Sequence, residues 1–171
     1  MVKPVRILDK KFRENIRNYL LQCGMATIAI LIILLFLDIL TETAIIASLG
    51  ATAFIVFTMP NSYSSKTRPL VGGYLVGIIV GIALHFIATS SLITSLPISP
   101  TFTIAGFGAI SVGIAIFIMV ATDTEHPPAA GIALGLILNV WEPTTILYII
   151  IAVLLLTTIK KALRPIMLDL L

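Results

Sequence analysis

The stretch that decides the fold is ATDTEHPPAAG, residues 121–131. It places two carboxylates, an imidazole (His126) and two adjacent prolines between two apolar segments. Proline has no backbone N–H and suits the first turn of a helix, and a residue that precedes proline favours extended backbone. The stretch therefore predicts a break between two helices, with the second helix beginning at the prolines.

The solvent around that break follows from the composition. Hydrophobic residues make up 58% of the 171 residues and charged residues 11%, whereas soluble domains have roughly 45–50% and about 25%. The mean hydropathy is +1.12. We therefore expect an all-α membrane protein with about six transmembrane segments. Its apolar runs lie at 20–37, 43–59, 70–89, 103–122, 128–140 and 144–159.

The basic residues predict the orientation of the chain. Six crossings put every Lys and Arg on one side, because these residues precede the first run, follow the second and follow the last. They are Lys3, Arg6, Lys10, Lys11, Arg13, Arg17, Lys66, Arg68, Lys160, Lys161 and Arg164. The positive-inside rule makes that side cytoplasmic, so we expect a multi-pass protein of the cell membrane with both termini in the cytoplasm.

We expect three parts in the chain. Residues 1–19 carry apolar residues at helical spacing with bases between them, which is typical of an amphipathic helix on anionic lipid. Residues 20–159 form the transmembrane domain, and residues 160–171 form a basic cytoplasmic tail. Membrane lipid is thus an expected partner, whereas nucleic acid is not, because no region carries a nucleic-acid-binding motif.

Small residues recur every four positions in three of the runs. In lipid, such faces allow the backbones of two helices to approach closely, so we expect the third, fourth and fifth spans to form one cluster. The three sets are Gly73, Gly77 and Gly81; Ala105, Ala109 and Gly113; and Gly131 with Gly135.

The fifth run is short, and its start resembles an earlier segment. Residues 128–140 span about 20 Å at ~1.5 Å per residue, less than a ~30 Å hydrocarbon core. The Thr-Glu pair at 41–42 recurs at 124–125, and the same offset of 83 residues lays the first span over the fourth. We therefore predict a 3+3 inverted repeat with broken helices two and five, the second helix start or kink lying at 48–52.

Two helix starts that face one cavity would offer unpaired N–H groups and positive dipole ends to a small anion. The predicted substrate-binding residues are Ser48, Gly50, Ala51, Thr52, Thr124, His126, Pro127, Pro128 and Ala129. The predicted coupling or gating residues are Asp123, Glu125, Lys66 and Arg68, because ionisable groups inside a membrane are functional candidates. The alternative is structural: Asp123 or Thr124 caps the fifth helix, and Glu125 pairs with Lys66 or Arg68.

Neither an enzyme nor a cofactor is expected. Cys23 is the only cysteine, which excludes an intrachain disulfide and a thiolate metal cluster. The chain carries no zinc-protease, hydrolase or nucleotide-binding motif, and Asp123, Glu125 and His126 lie too close in sequence to converge readily on one metal ion. Acid–base chemistry on a lipid substrate by these three residues is the remaining enzymatic alternative.

A family resemblance accompanies these patterns. The segment HPPAAG at 126–131, with Thr122 and Thr124 before it, resembles the motif that names the HPP family of small integral membrane proteins. The segment GATA at 50–53 and the stretch from Arg68 to Gly73 are similar to other recurrent segments of that family. The similarity covers about residues 20–159.

The resemblance implies passive or coupled movement of a small inorganic anion, with nitrite associated with plastid and cyanobacterial members. The chain departs from the family at Tyr74, where a more polar residue is frequent, and in a longer loop at 60–69. The alternative function is a non-transporting membrane subunit that binds partner helices through its glycine faces. Short helices around a shared cavity leave much lateral surface, so we also expect a homo-oligomer.

Overall fold

The structure, a computed structural model, describes residues 10–37 and 43–170, with the side chains of 15–29 and 44–170. Within these residues the chain is helical and contains no strand. The helices are α1 (Lys10–Leu37), α2 (Thr43–Thr58), α3 (Thr67–Ala88), α4 (Ser91–Thr94), α5 (Pro100–Ala121), α6 (Pro127–Leu138) and α7 (Pro143–Leu163), with short 3-10 turns at Tyr63–Ser65 and Arg164–Ile166.

Three helices of the described chain are long and apolar enough to cross a membrane: α3, α5 and the segment Pro143–Ile166. The helices α2 and α6 have 16 and 12 residues, which correspond to about 24 Å and about 18 Å. The chain is therefore an all-helical membrane protein, as its composition predicts. The number of six crossings stays a prediction, although each of the six apolar runs lies mainly on a helix.

Helix α6 lies at the centre of the bundle, where it contacts α2, α3 and α5. Most of its residues are buried. The glycine face of α3 packs against it so closely that a Cβ atom at Gly73 would lie 2.8 Å from the His126 Cβ, and one at Gly81 would lie 2.9 Å from the Leu136 Cβ. The predicted cluster of the third, fourth and fifth spans is confirmed, because α3, α5 and α6 all contact one another.

The packing face of α5 differs from the predicted one. Ala105, Ala109 and Gly113 are exposed, and a Cβ atom at Gly113 would meet nothing within 4 Å. The buried face consists of Gly108, Ser111, Ala115 and Met119. The prediction was wrong because α5 is apolar on all sides, so its sequence carries two faces of small residues and no polarity to distinguish them.

Glycines 131 and 135 of α6 lie against α2 rather than within the α3–α5–α6 cluster. A Cβ atom at Gly131 would overlap the Ser48 hydroxyl, and one at Gly135 would lie 3.2 Å from the Ile45 Cγ1. The two glycines therefore allow α2 to approach the central helix.

Helix α2 runs without interruption from Thr43 to Thr58. The predicted helix start or kink at 48–52 is therefore wrong, because Gly50 is accommodated inside a regular helix. Residues 41–42, which carry the first copy of the repeated Thr-Glu pair, lie outside the described residues. The inverted repeat stays a prediction.

The structure adds detail at both ends of the chain, and the expected division into three parts stays a prediction. Helix α7 continues to Leu163, past the predicted boundary at 160. The segment after it packs back on the bundle, because the Gln22 side chain donates to the Leu168 carbonyl (2.8 Å) and accepts from the Leu168 N–H (3.0 Å). Helix α1 has a kink at Asn15, and the predicted interfacial helix lies mostly outside the residues whose side chains are described.

Candidate functional site

The break at 122–126 begins with a regular helix stop. Asp123 has φ 52, the left-handed conformation that commonly ends a helix and that Asp tolerates better than most residues. The Thr124 N–H then reaches back to the Met119 carbonyl (2.9 Å). The Asp123 side chain is exposed, so the presence of aspartate here is explained by the backbone conformation.

The first turn of α6 offers no free amide to a ligand. His126 precedes the helix in an extended conformation (φ −131, ψ 93), as its place before proline predicts. Pro127 and Pro128 have no N–H, and the Ala129 N–H donates to the His126 carbonyl (2.9 Å). The predicted cradle of free amides is therefore wrong at 48–52, because these residues lie inside α2. At α6 the prolines leave no free donor in the first turn of the helix.

The loop between α2 and α3, together with the first turn of α3, covers the break. The Ser64 carbonyl lies 2.8 Å from His126 Nδ1, Arg68 Nη2 donates to the Thr122 carbonyl (2.9 Å), and the Tyr63 hydroxyl donates to the Asp123 carbonyl (2.8 Å). Partial burial and the nearby Glu125 carboxylate raise the pKa of Tyr63, so this hydroxyl keeps its proton. Each irregular segment thus satisfies polar groups of the other, as irregular backbone within a membrane requires.

A buried polar chain connects the break to α2 and α3. It consists of His126, Thr52, Tyr74 and the Ser48 carbonyl: Thr52 Oγ1 lies 2.9 Å from His126 Nε2 and 2.7 Å from the Tyr74 hydroxyl, which lies 3.3 Å from the Ser48 carbonyl. His126 and Thr52 are 0% exposed and Tyr74 is 2% exposed. Such a chain in the interior of an apolar bundle has no water to replace a lost partner.

The direction of the hydrogen bonds follows from the donors available. Nδ1 of His126 faces a carbonyl and therefore carries a proton, so in a neutral ring Nε2 accepts from the Thr52 hydroxyl. The Tyr74 hydroxyl then donates to Thr52. If the ring gains a second proton, Nε2 donates to Thr52, Thr52 donates to Tyr74, and Tyr74 donates to the Ser48 carbonyl. Both directions satisfy every member of the buried polar chain.

The model of a family described as HPP, transmembrane region, matches residues 11–163. The chain belongs to the HPP transmembrane family. The matched region contains the break, the buried polar chain and all of the helices in which its members lie. No curated protein and no solved structure matches the chain.

Several predicted site residues of this HPP protein meet in the interior. Ser48, Thr52, Thr124, His126, Pro128 and Ala129 are buried. Gly50, Ala51 and Pro127 are exposed, and the first two lie on the side of α2 that faces away from the core. The periodicity of a helix separates them, because residues 48 and 52 share a face that residues 50 and 51 do not.

Tyr74 is the site residue that the sequence analysis missed. Its hydroxyl joins the buried polar chain, and its ring lies 5.6 Å from the His126 ring, centroid to centroid. The available signal was its place between Gly73 and Gly77, since a tyrosine beside a close helix contact must find a partner for its hydroxyl.

The predicted coupling residues separate into different environments. Arg68 reaches the break, whereas Lys66 lies over the Tyr63 ring, with Nζ 5.4 Å from its centroid. Glu125 pairs with neither cation, and its Oε2 is buried without a hydrogen-bond partner. Within the described part of the chain, no three His, Cys, Asp or Glu side chains are grouped to hold a metal ion.

Glu125 and His126 also line a cavity between α5 and α6. Its volume is about 260 Å³, and its other lining residues are Ile116, Met119, Val120, Pro127 and Ala130. The wall is mostly apolar, and Glu125 and His126 are the titratable residues at its edge.

Proposed function

We propose that this HPP protein is a transporter or channel for a small inorganic anion, nitrite being the anion that the family resemblance implies. The observation that carries the proposal is the position of His126. Its imidazole is fully buried at a break between two helices, and it borders a cavity. It also belongs to the buried polar chain, whose hydrogen bonds can run in either of two directions. Polar groups of this kind inside a membrane are retained mainly at transport paths and proton relays.

The distribution of charge favours an anion over a cation. Lys160 Nζ lies 2.8 Å from the Ser65 hydroxyl, and Arg68 contacts the break, so the cations of α3 and α7 gather at the end of the bundle where the break lies. Cations at the mouth of a path raise the local concentration of anions. Glu125 opposes an anion while it is ionised, so we propose that it is protonated, or that it exchanges a proton, when the anion passes.

Flux into liposomes tests this proposal. Purified protein is reconstituted and uptake of nitrite, nitrate, bicarbonate and chloride is measured with and without a pH gradient. We expect nitrite uptake well above that of empty vesicles. No uptake of any of these anions would refute the proposal.

The two histidines provide matched variants. His126→Ala should abolish flux, whereas His85→Ala should retain it, because His85 lies at the other end of α3 with its ring 5.2 Å from the Trp141 ring. Melting temperatures of both variants in detergent report whether the protein is folded. Unchanged flux in folded His126→Ala would make the break structural only.

The alternative function is a membrane subunit that binds partner helices and does not transport. The exposed small residues of α5 favour it, since Ala105, Ala109 and Gly113 have no partner helix in the described chain. The glycines of α3 do not favour this alternative, because α6 and the residues just before it already pack against them. Copurification of a second protein in stoichiometric amount, without flux by the chain alone, would support this alternative. The expected homo-oligomer stays a prediction.

A further inference from the structure

A second cavity, distinct from the one beside His126, opens where α3 begins and α7 ends. Its volume is about 380 Å³. We call it the basic cavity, because four of its lining residues are cationic and none is acidic. Its lining residues are Pro60, Asn61, Lys66, Thr67, Lys160, Lys161 and Arg164.

Lys160 is the buried cation of the basic cavity. It is 8% exposed, and its ammonium group donates to the Ser65 carbonyl and to the Ser65 hydroxyl. Both acceptors are neutral, so no carboxylate in the described chain pairs with this charge. A buried ammonium without a counter-charge is unfavourable, and a bound anion would remove that cost.

The nearest carboxylate does not fill this role. Both oxygens of Asp169 accept hydrogen bonds from Asn61, one from its backbone N–H (3.0 Å) and one from its side-chain amide (2.8 Å). Asp169 attracts Lys160 at longer range, while Arg164 repels it. Lys161 and Arg164 are exposed and free to turn toward a ligand in the cavity.

We propose that the basic cavity binds a phosphomonoester, held by Lys66, Lys160, Lys161 and Arg164. A guanidinium binds two phosphate oxygens at once, and lysine ammonium groups neutralise the remaining charge. The volume lies in the range of pockets for small organic molecules, ~300–1,000 Å³, and is too large for inorganic phosphate, an anion of five heavy atoms, to fill. The ligand is therefore a phosphate that carries an organic group.

Two sources can supply this chemistry. The basic cavity lies at the end of the bundle, where lipid headgroups meet the protein, and basic pockets between transmembrane helices are suited to phosphorylated headgroups. A soluble phosphomonoester presents the same phosphate without acyl chains. The inference does not depend on the role proposed for His126, because neither His126 nor the break lines the basic cavity.

Binding to the purified protein in detergent tests the proposal. The probes are dioctanoyl phosphatidic acid, glycerol 3-phosphate and, as a phosphodiester control without net charge, dioctanoyl phosphatidylcholine. The readout is the concentration dependence of the melting temperature. We expect saturable binding of a phosphomonoester and none of phosphatidylcholine. Binding of both phosphomonoesters indicates that a soluble phosphomonoester is sufficient for binding. Binding of phosphatidic acid alone indicates that the ligand is a lipid.

The variant for this test is Lys161→Gln/Arg164→Gln, in which both changed residues are exposed, so that the fold is retained. It should weaken phosphomonoester binding by at least about tenfold. Arg17→Gln is the control, because Arg17 is an exposed cation of α1 outside the basic cavity. It should bind within about twofold of the wild type. The proposal is overturned if no phosphomonoester binds, if the double variant binds as well as the wild type, or if Arg17→Gln loses as much affinity.

Discussion

The hydroxyl of Thr52 connects the two aromatic side chains of the buried polar chain. It lies between His126 Nε2 and the Tyr74 hydroxyl, at 2.9 Å and 2.7 Å, and it serves as donor to one and acceptor from the other. A methyl group in its place would leave a ring nitrogen and a phenol without this partner. A buried polar group without a partner costs about 1–3 kcal/mol.

Thr52→Val should therefore lower the free energy of unfolding by about 1–3 kcal/mol. Thr52→Ser keeps the hydroxyl and loses one methyl group, at a cost of about 1 kcal/mol or less. Unfolding by SDS in mixed micelles measures both values. A Thr52→Val variant as stable as Thr52→Ser would contradict the contribution of the hydroxyl to the buried polar chain.

Asp123 is explained by its backbone conformation at φ 52. Asp123→Gly should stay within about 1 kcal/mol of the wild type, because glycine adopts this φ freely. Asp123→Val should destabilise by about 1–3 kcal/mol, because a β-branched residue is strained there. The same unfolding assay measures both, and a stable Val variant would contradict this account of the helix stop.

The Asp123→Gly variant also separates the backbone role of Asp123 from the predicted coupling role. In liposomes, we expect its flux with a pH gradient to match the wild type, since the removed carboxylate is exposed at the surface. A selective loss of gradient-driven flux, with flux at equal pH retained, would restore Asp123 as a coupling group.

At the scale of the helices, the close contact between α3 and α6 is the main packing feature. A Cβ atom at Gly77 would overlap the Ala129 carbonyl oxygen, which is backbone and cannot turn aside. A Cβ atom at Gly50 of α2 would have open space around it, with nothing within 4 Å. The two glycines are therefore a matched pair for measuring what the contact contributes.

Gly77→Ala should destabilise by about 1–3 kcal/mol, because the added methyl group forces the two helices apart. Gly50→Ala should be neutral or stabilising by up to about 1 kcal/mol, since alanine is the better helix former. The yield of monodisperse protein and its melting temperature in detergent report both effects. A Gly77→Ala variant as stable as Gly50→Ala would contradict the close approach of α3 and α6.

The helices were more predictable from the sequence than the faces that they bury. Charges and prolines divide the chain, and the prolines at 127–128 placed the start of α6 at the correct residue. The buried face of α5 was not predictable, because α5 is apolar around its whole circumference. The glycines at 73, 77 and 81 were informative, since a helix pair in lipid needs small residues to approach closely.

The site was predictable only in part for a similar reason. His126 stood out as an imidazole between two acids and two prolines. Tyr74 did not, because its role depends on the rotation of α3 against α2, which brings its hydroxyl to Thr52. The first turn of α6 contributes no amide donors, because the same prolines that begin the helix also remove its free N–H groups.

At the scale of the whole molecule, two sets of contacts define two ends of the bundle. The loop at 59–66, the break and the last turn of α7 meet at one end, as the contacts of Ser64 and Ser65 show. His85 and Trp141 meet at the other. The positive-inside rule predicts that the end with the basic residues faces the cytoplasm.

Labelling of single cysteines tests this arrangement. In a Cys23→Ser background, Asn61→Cys and Lys161→Cys should react with an impermeant maleimide in inverted vesicles only. Ser91→Cys and Thr144→Cys should react in right-side-out vesicles only. All four wild-type residues are exposed. Reaction of all four from one face would exclude the six-span topology.

The absence of space between Gly77 and Ala129 has a consequence for movement. Two helices whose backbones touch cannot slide or rotate past each other without a collision, because close-packed contacts do not deform gradually. Any switch between outward-open and inward-open states would carry α3 and α6 together as one rigid body. Hinges for such rocking must then lie in the connecting segments at either end of this pair.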